Sequence, residues 1–113
     1  MDERVEKALS FANYKLTLQN QRENLRTKLL EKLVLGKNGG LFDVNQELIS
    51  FISTLASKTE SAIILDKNKT PVLIENLSDF LDEILQTYIE NTEIYYQEYE
   101  KIKKLRSIFK ISI

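Results

Sequence analysis

Apolar residues recur at steps of three and four along the first third of the chain, through Val5, Ala8, Ala12, Leu16 and Leu18 to Leu25, Leu29 and Leu33. That spacing brings a side chain back to one helix face each turn. With no Gly or Pro to interrupt it, the pattern predicts a long helix over about 2–35. The polar stretch Gln19–Asn24 thins the stripe midway. Gly36 and then Lys37-Asn38-Gly39-Gly40 are residues that tolerate positive φ, so they predict a C-terminal cap and a turn, with Leu41 and Phe42 tucked back into the core. A short helix is expected over about 43–57. Asp43 and Gln46 are spaced as a capping box, and Val44, Leu48, Ile52 and Leu55 form a stripe that Ile49 and Phe51 widen.

The period then changes. Ala62-Ile63-Ile64-Leu65 and Pro71-Val72-Leu73-Ile74 are short aliphatic runs on either side of Asp66-Lys67-Asn68-Lys69-Thr70, which predicts a β-hairpin over about 62–74. Pro71 lacks a backbone N–H and is placed at the start of its strand. Such a hairpin is marginal alone and must lie against the helices or receive another strand. From Asn76, a plausible N-cap, a second long helix is expected over about 77–107. Its seam runs Leu77, Leu81, Ile84, Tyr88, Thr92, Tyr95, Tyr99, Ile102, Arg106 and Phe109, a heptad pattern carrying one extra four-residue step. Residues 108–113 are left as a tail. These elements add up to a mainly α single domain over 1–113: a long antiparallel helical hairpin with a short third helix and a small β-hairpin.

Charge sharpens the pairing of the long helices. From Glu75 to Glu100 every charged residue is acidic, whereas the first helix carries Lys15, Arg22, Arg26, Lys28 and Lys32. Opposed charges favour one orientation, although exposed pairs contribute only about 0–1 kcal/mol each. The whole chain balances at a net charge of −1, so no global field draws it onto nucleic acid or an anionic membrane. No apolar run reaches the roughly 20 residues of a membrane span. Met1-Asp2-Glu3-Arg4 is acidic and polar, unlike the basic start of a signal peptide, so a soluble chain made without a targeting segment is expected.

Cys and His are both absent. Their absence excludes disulfides, thiolate nucleophiles, His-based general bases and zinc sites of the usual kind. Carboxylates are plentiful, but Asp79 with Glu83, or Asp82 with Glu83 and Gln86, do not stand apart from a solvated acidic surface. The glycines of Lys37–Gly40 follow a helix rather than a strand and lack the GK[ST] of a phosphate loop. We therefore expect no enzyme, no catalytic residue, no metal and no cofactor.

The residues left over point to partners. Tyr88, Tyr95 and Tyr99 share the seam, whereas Tyr96 faces elsewhere and is a candidate partner contact. The last thirteen residues, Lys101 to Ile113, carry no acid. Lys101, Lys103, Lys104, Arg106 and Lys110 complement a helix C-terminus in one reading and contact nucleic-acid phosphate in another. Phe109, Ile111 and Ile113 alternate with Lys110 and Ser112 as a strand does, so the tail is a candidate to add to its own hairpin or to a neighbouring sheet.

Gly39-Gly40-Leu41-Phe42, Leu65 through Val72, and Tyr96 through Ser107 together resemble a type of small protein from marine T-even-like tailed phages. The Lys- and Asn-rich composition fits such genomes. The resemblance spans most of the chain in short phrases and brings no catalytic or binding motif. It implies a virion component or an assembly or accessory factor, located in the virion or in the cytoplasm of the infected bacterium. The expected function is thus protein–protein interaction, with self-association into a homo-oligomer as one form. The alternatives are a nucleic-acid-associated accessory factor using the basic C-terminus, and a small adaptor or inhibitor that presents its acidic helix to a host protein.

Overall fold

The computed structural model describes the backbone of residues 3–112 and the side chains of residues 3–104. The elements follow as α1 (Glu3–Lys32), β1 (Val34–Lys37), β2 (Gly40–Asp43), α2 (Gln46–Ala56), β3 (Ala62–Leu65), β4 (Pro71–Ile74) and α3 (Leu77–Ser112). The fold is mainly α, as the periodicity predicts: two long helices, a short one between them and the expected hairpin. A second hairpin, β1–β2, is added. The chain forms two compact units, one of Leu29–Glu93 and one of Met1–Lys28 with Ile94–Ile113.

In the 29–93 unit the core is a continuous cluster of Leu33, Phe42, Val44, Ile52, Ile64, Val72, Ile74, Leu77, Phe80 and Ile84. Phe42 and Phe80 meet edge-to-face with ring centroids 5.1 Å apart, a geometry that adds about 0.5–1.5 kcal/mol beyond area burial. The α3 seam lies inward as expected here, with Leu77 and Ile84 buried and Leu81 and Tyr88 packed against the cluster. Asn76 caps the helix, its Oδ1 accepting from the Asp79 N–H at 3.1 Å.

The start of this unit departs from the expected helix over 2–35. α1 ends at Lys32, and the residues read as a C-cap form a hairpin instead. Asn38 at φ 50° and Gly39 at φ 85° are the two central residues of a left-handed turn. That handedness matches the right-handed twist of the strands, which is why Asn-Gly is the preferred sequence there. Lys37 then faces Gly40, Leu35 faces Phe42 and Val34 faces Asp43. The helix bonds give way to the ladder at Leu33, whose carbonyl accepts from the Val44 N–H at 2.7 Å.

Asp43 is consequently a strand residue rather than a cap. The cap of α2 is Asn45, whose Oδ1 accepts from the Leu48 N–H at 2.8 Å. Val44 and Ile52 are buried as the stripe predicts, but Phe51 faces solvent, because it lies just outside the arc that packs on the core.

The second hairpin follows the sequence reading: β3 pairs with β4 in the register Ala62–Ile74, Ile63–Leu73, Ile64–Val72 and Leu65–Pro71. Its loop turns through Lys69 at φ 64°, a conformation an L side chain adopts only at a cost. The two hairpins cross closely at Gly40. A Cβ there would stand 2.5 Å from Val72 Cγ2 and 3.3 Å from both Asp66 Cβ and Phe42 Cε2. Only a residue without a side chain leaves room for Val72 and Asp66 to pack this closely on the Gly40 backbone.

In the other unit, Leu18 is buried and the Arg22 guanidinium lies 5.8 Å from the centre of the Tyr99 ring. Tyr95 and Tyr99 are neighbours at 6.1 Å. Tyr14, Arg22 and Leu25 are half-buried, whereas Val5, Leu9 and Leu16 are exposed. The stripe expected through Val5, Ala12 and Leu16 is therefore not the packed face of α1 in its first half. The backbone of Phe109–Ser112 is helical, which sets aside the strand reading of the tail. The side chains of Arg106, Phe109, Lys110, Ile111 and Ile113 lie outside the described residues.

Two substitutions test this account. Gly40→Ala should destabilise the fold by about 1–3 kcal/mol, the usual cost of overpacking, measured by urea unfolding. Lys69→Gly should raise stability by about 0.5–1 kcal/mol by relieving the left-handed backbone.

Candidate interaction surface

The two hairpins occupy one another's edges. On the free edge of β2, the Leu41 N–H donates to Asp66 Oδ2 at 3.0 Å and the Leu41 carbonyl accepts from the Lys67 N–H at 2.9 Å. At the edge of β4, the Leu73 carbonyl accepts from Asn38 Nδ2 at 3.0 Å. Asp66, buried, also accepts at Oδ1 from the N–H groups of Asn68 at 2.9 Å and Thr70 at 2.8 Å. One carboxylate thus shapes its own loop and seals the neighbouring strand. The bond from Leu41 holds its pKa below the ordinary value of about 3.8; burial opposes this, and the bonds from Thr70 and Asn68 assist it.

With these groups of β2 and β4 bonded, the faces of the second hairpin come into view. In an antiparallel ladder, residues opposite one another share a face. Ala62–Ile74 and Ile64–Val72 point into the core, and Ile63–Leu73 and Leu65–Pro71 point out. Every outward residue of β3–β4 is therefore apolar. Ile63 is 61%, Leu65 56% and Leu73 50% exposed, and Leu41, on the outer side of β2, is 46% exposed. An exposed cross-strand apolar pair makes this face a candidate contact surface.

Sequence reasoning reached this hairpin but not its outer face. The signal was present: both strands are apolar at every position, the pattern of a strand covered on two sides, yet only one side meets the core.

The residues singled out from sequence fall elsewhere. Tyr96 is 65% exposed, on α3 in the unit that contains residues 94–113. Lys101 pairs with Glu98 at 3.0 Å, and Lys103 and Lys104 are exposed. The side chains of Arg106 and Lys110, like those of Phe109, Ile111 and Ile113, lie outside the described residues. Among the described residues, Lys15, Arg22, Arg26, Lys28 and Lys32 of α1 form no ion pair with an acid of α3. The ion pairs seen among the described residues include Lys37–Glu83, Lys67–Asp43 and Lys101–Glu98. Lys37 and Glu83, at 2.8 Å, instead tie the first hairpin to α3 within the 29–93 unit.

No helix among the described residues is long and apolar enough to cross a membrane. No protein-family model matches the chain, and neither a curated protein nor a solved structure does.

The Asp66 carboxylate gives the fold a pH dependence of definite sign. Because its folded pKa is depressed, its contribution is complete above about pH 4, where the unfolded chain is also ionised, and is lost as pH falls through the lower folded value. Asp66→Asn should lower stability at neutral pH and flatten its decline in acid, which urea titrations at neutral and acidic pH will show.

Proposed function

We propose that this chain is a non-enzymatic protein–protein interaction protein that binds through the outer face of β3–β4. The observation that carries the reading is the cross-strand pair Ile63–Leu73, apolar and exposed on a framework whose own core lies on the opposite side. Pro71 and Leu65 extend the same face. A two-stranded surface held by a packed core is rigid, so docking on it costs little ordering entropy. The likeness to small proteins of T-even-like tailed phages supports placing that role in a virion or in its assembly.

A nucleic-acid role for Lys101, Lys103 and Lys104 is the second reading, supported by the exposure of Lys103 and Lys104. It draws no help from the net charge of −1.

The test is affinity co-purification from the source lysate, with and without nuclease, using the parent chain and an Ile63→Lys/Leu73→Lys double variant. Both side chains are exposed, so stability should change by no more than about 0.5 kcal/mol each. Structural or assembly proteins that survive nuclease and are lost with the double variant are expected. Partners insensitive to the double variant would overturn the surface assignment. Partners that vanish with nuclease, and with neutralised Lys101, Lys103 and Lys104, would move the function to the basic segment.

A further inference from the structure

The tip of the first hairpin carries a chemistry that the interaction reading does not use. Asn38 is exposed and precedes Gly39 in a turn where both residues have positive φ. Apart from its two chain neighbours, nothing lies within 4 Å of the position a Gly39 Cβ would take, so no distant part of the fold packs against that side of the turn. We propose that Asn38–Gly39 is a site of spontaneous deamidation that the fold holds in check, so that opening of this turn is converted into a permanent covalent change.

The step balances with water as the sole co-reactant. The Gly39 backbone nitrogen gives up its proton and attacks Asn38 Cγ. A C–N bond forms, the Cγ–Nδ2 bond breaks, and Nδ2 leaves as ammonia with the proton. The succinimide so formed adds water at either carbonyl and opens to aspartate or isoaspartate. Nothing is oxidised or reduced. Glycine at the second position is what makes the attack feasible, because no side chain obstructs the nitrogen and the backbone turns freely.

Two features of the folded chain oppose it. Asn38 Nδ2, the leaving group, donates to the Leu73 carbonyl at 3.0 Å, which anchors the carboxamide on β4. The attack also needs rotation about the Asn38 Cα–C bond, out of the left-handed turn that sets Lys37 opposite Gly40. The rate is therefore governed by local opening of the hairpin tip.

Conversion would keep the tip open. A carboxylate at position 38 has no N–H to offer Leu73. It also joins a groove lined by Glu75, Asp79 and Glu83, where the nearby Lys37 ammonium is already committed to Glu83 at 2.8 Å. Isoaspartate further lengthens the backbone of a two-residue turn that has no slack.

The experiment incubates the intact chain in mildly alkaline buffer, folded and unfolded in urea, and follows position 38 by peptide mapping, with Asn68 as an internal reference. The unfolded chain should convert Asn38 well ahead of Asn68, the folded chain about tenfold or more slowly, and Gly39→Ala should suppress conversion in urea. The chain with Asn38→Asp should melt at a lower temperature than the parent. Equal rates in the folded and unfolded chain would overturn the gating. Absence of isoaspartate at position 38 in urea would overturn the site, and an Asn38→Asp chain as stable as the parent would overturn the claim that conversion holds the tip open.

Discussion

At Gly40 the backbone of one hairpin lies against Val72 of the other with no room for a methyl group, and one residue later the Leu41 N–H meets the Asp66 carboxylate. The 29–93 unit depends on this crossing. Two-stranded hairpins are marginal in water, since each leaves an open edge on either side and buries little. Here each hairpin supplies what the other lacks: Asp66 and Lys67 bond the edge of β2, and Asn38 bonds the edge of β4. The close approach also directs Phe42, Ile64, Val72 and Ile74 into one cluster with Phe80 and Ile84 of α3. Burying a carboxylate is normally costly. Asp66 offsets that cost by accepting three backbone N–H groups, each of which would otherwise need a partner of its own.

An arrangement that occupies edges internally changes how the unit can meet other molecules. Both backbone groups of Leu41 and the carbonyl of Leu73 are already bonded, and Pro71 has no N–H to offer another strand. What remains prominent is a face of side chains rather than a ladder of peptide groups. Ile63, Leu65, Pro71 and Leu73 present shape and apolar area, a kind of surface that is matched by complementary packing.

The sequence revealed the later half of the chain better than the first, for local reasons. In α3 the heptad steps, the Asn76 cap and the switch to short aliphatic runs all agree with one another, and the residues Leu77, Leu81, Ile84, Tyr88, Thr92, Tyr95, Tyr99 and Ile102 are all buried or half-buried. Around Leu33–Asp43 the cues conflict. Leu29 and Leu33 continue a helical spacing, and Gly36 and Gly39 suit a helix cap as well as a turn. Asn38-Gly39 between short apolar segments was the cue that decided the matter, since a two-residue left-handed turn outranks a glycine cap when apolar residues follow on both sides. Phe80 was overlooked because it lies between two seam positions, and Asp66 because nothing in a turn sequence tells whether a carboxylate faces water or a neighbouring strand. The outer face of β3–β4 was missed on different grounds. Periodicity shows that both faces are apolar, but only the packing shows which one the core covers.

Charge proved the least transferable of the sequence signals. Acidic residues crowd α3 from Asp79 to Glu100 and basic ones gather in the second half of α1, yet the ion pairs seen among the described residues join the two hairpins, a hairpin and α3, or two residues of α3. The Arg22 side chain shows what takes their place, lying over the Tyr99 ring at 5.8 Å while its Nε is buried without a hydrogen-bond partner. A guanidinium is more weakly hydrated than an ammonium and stacks on an aromatic face, so it can enter a seam where a lysine would stay outside. The tyrosines of the seam therefore do more than fill space: they give a cation on α1 a surface to rest on. Exposed opposite charges on two helices gain little from a fixed pairing, because water screens them and a bridge would immobilise two long side chains.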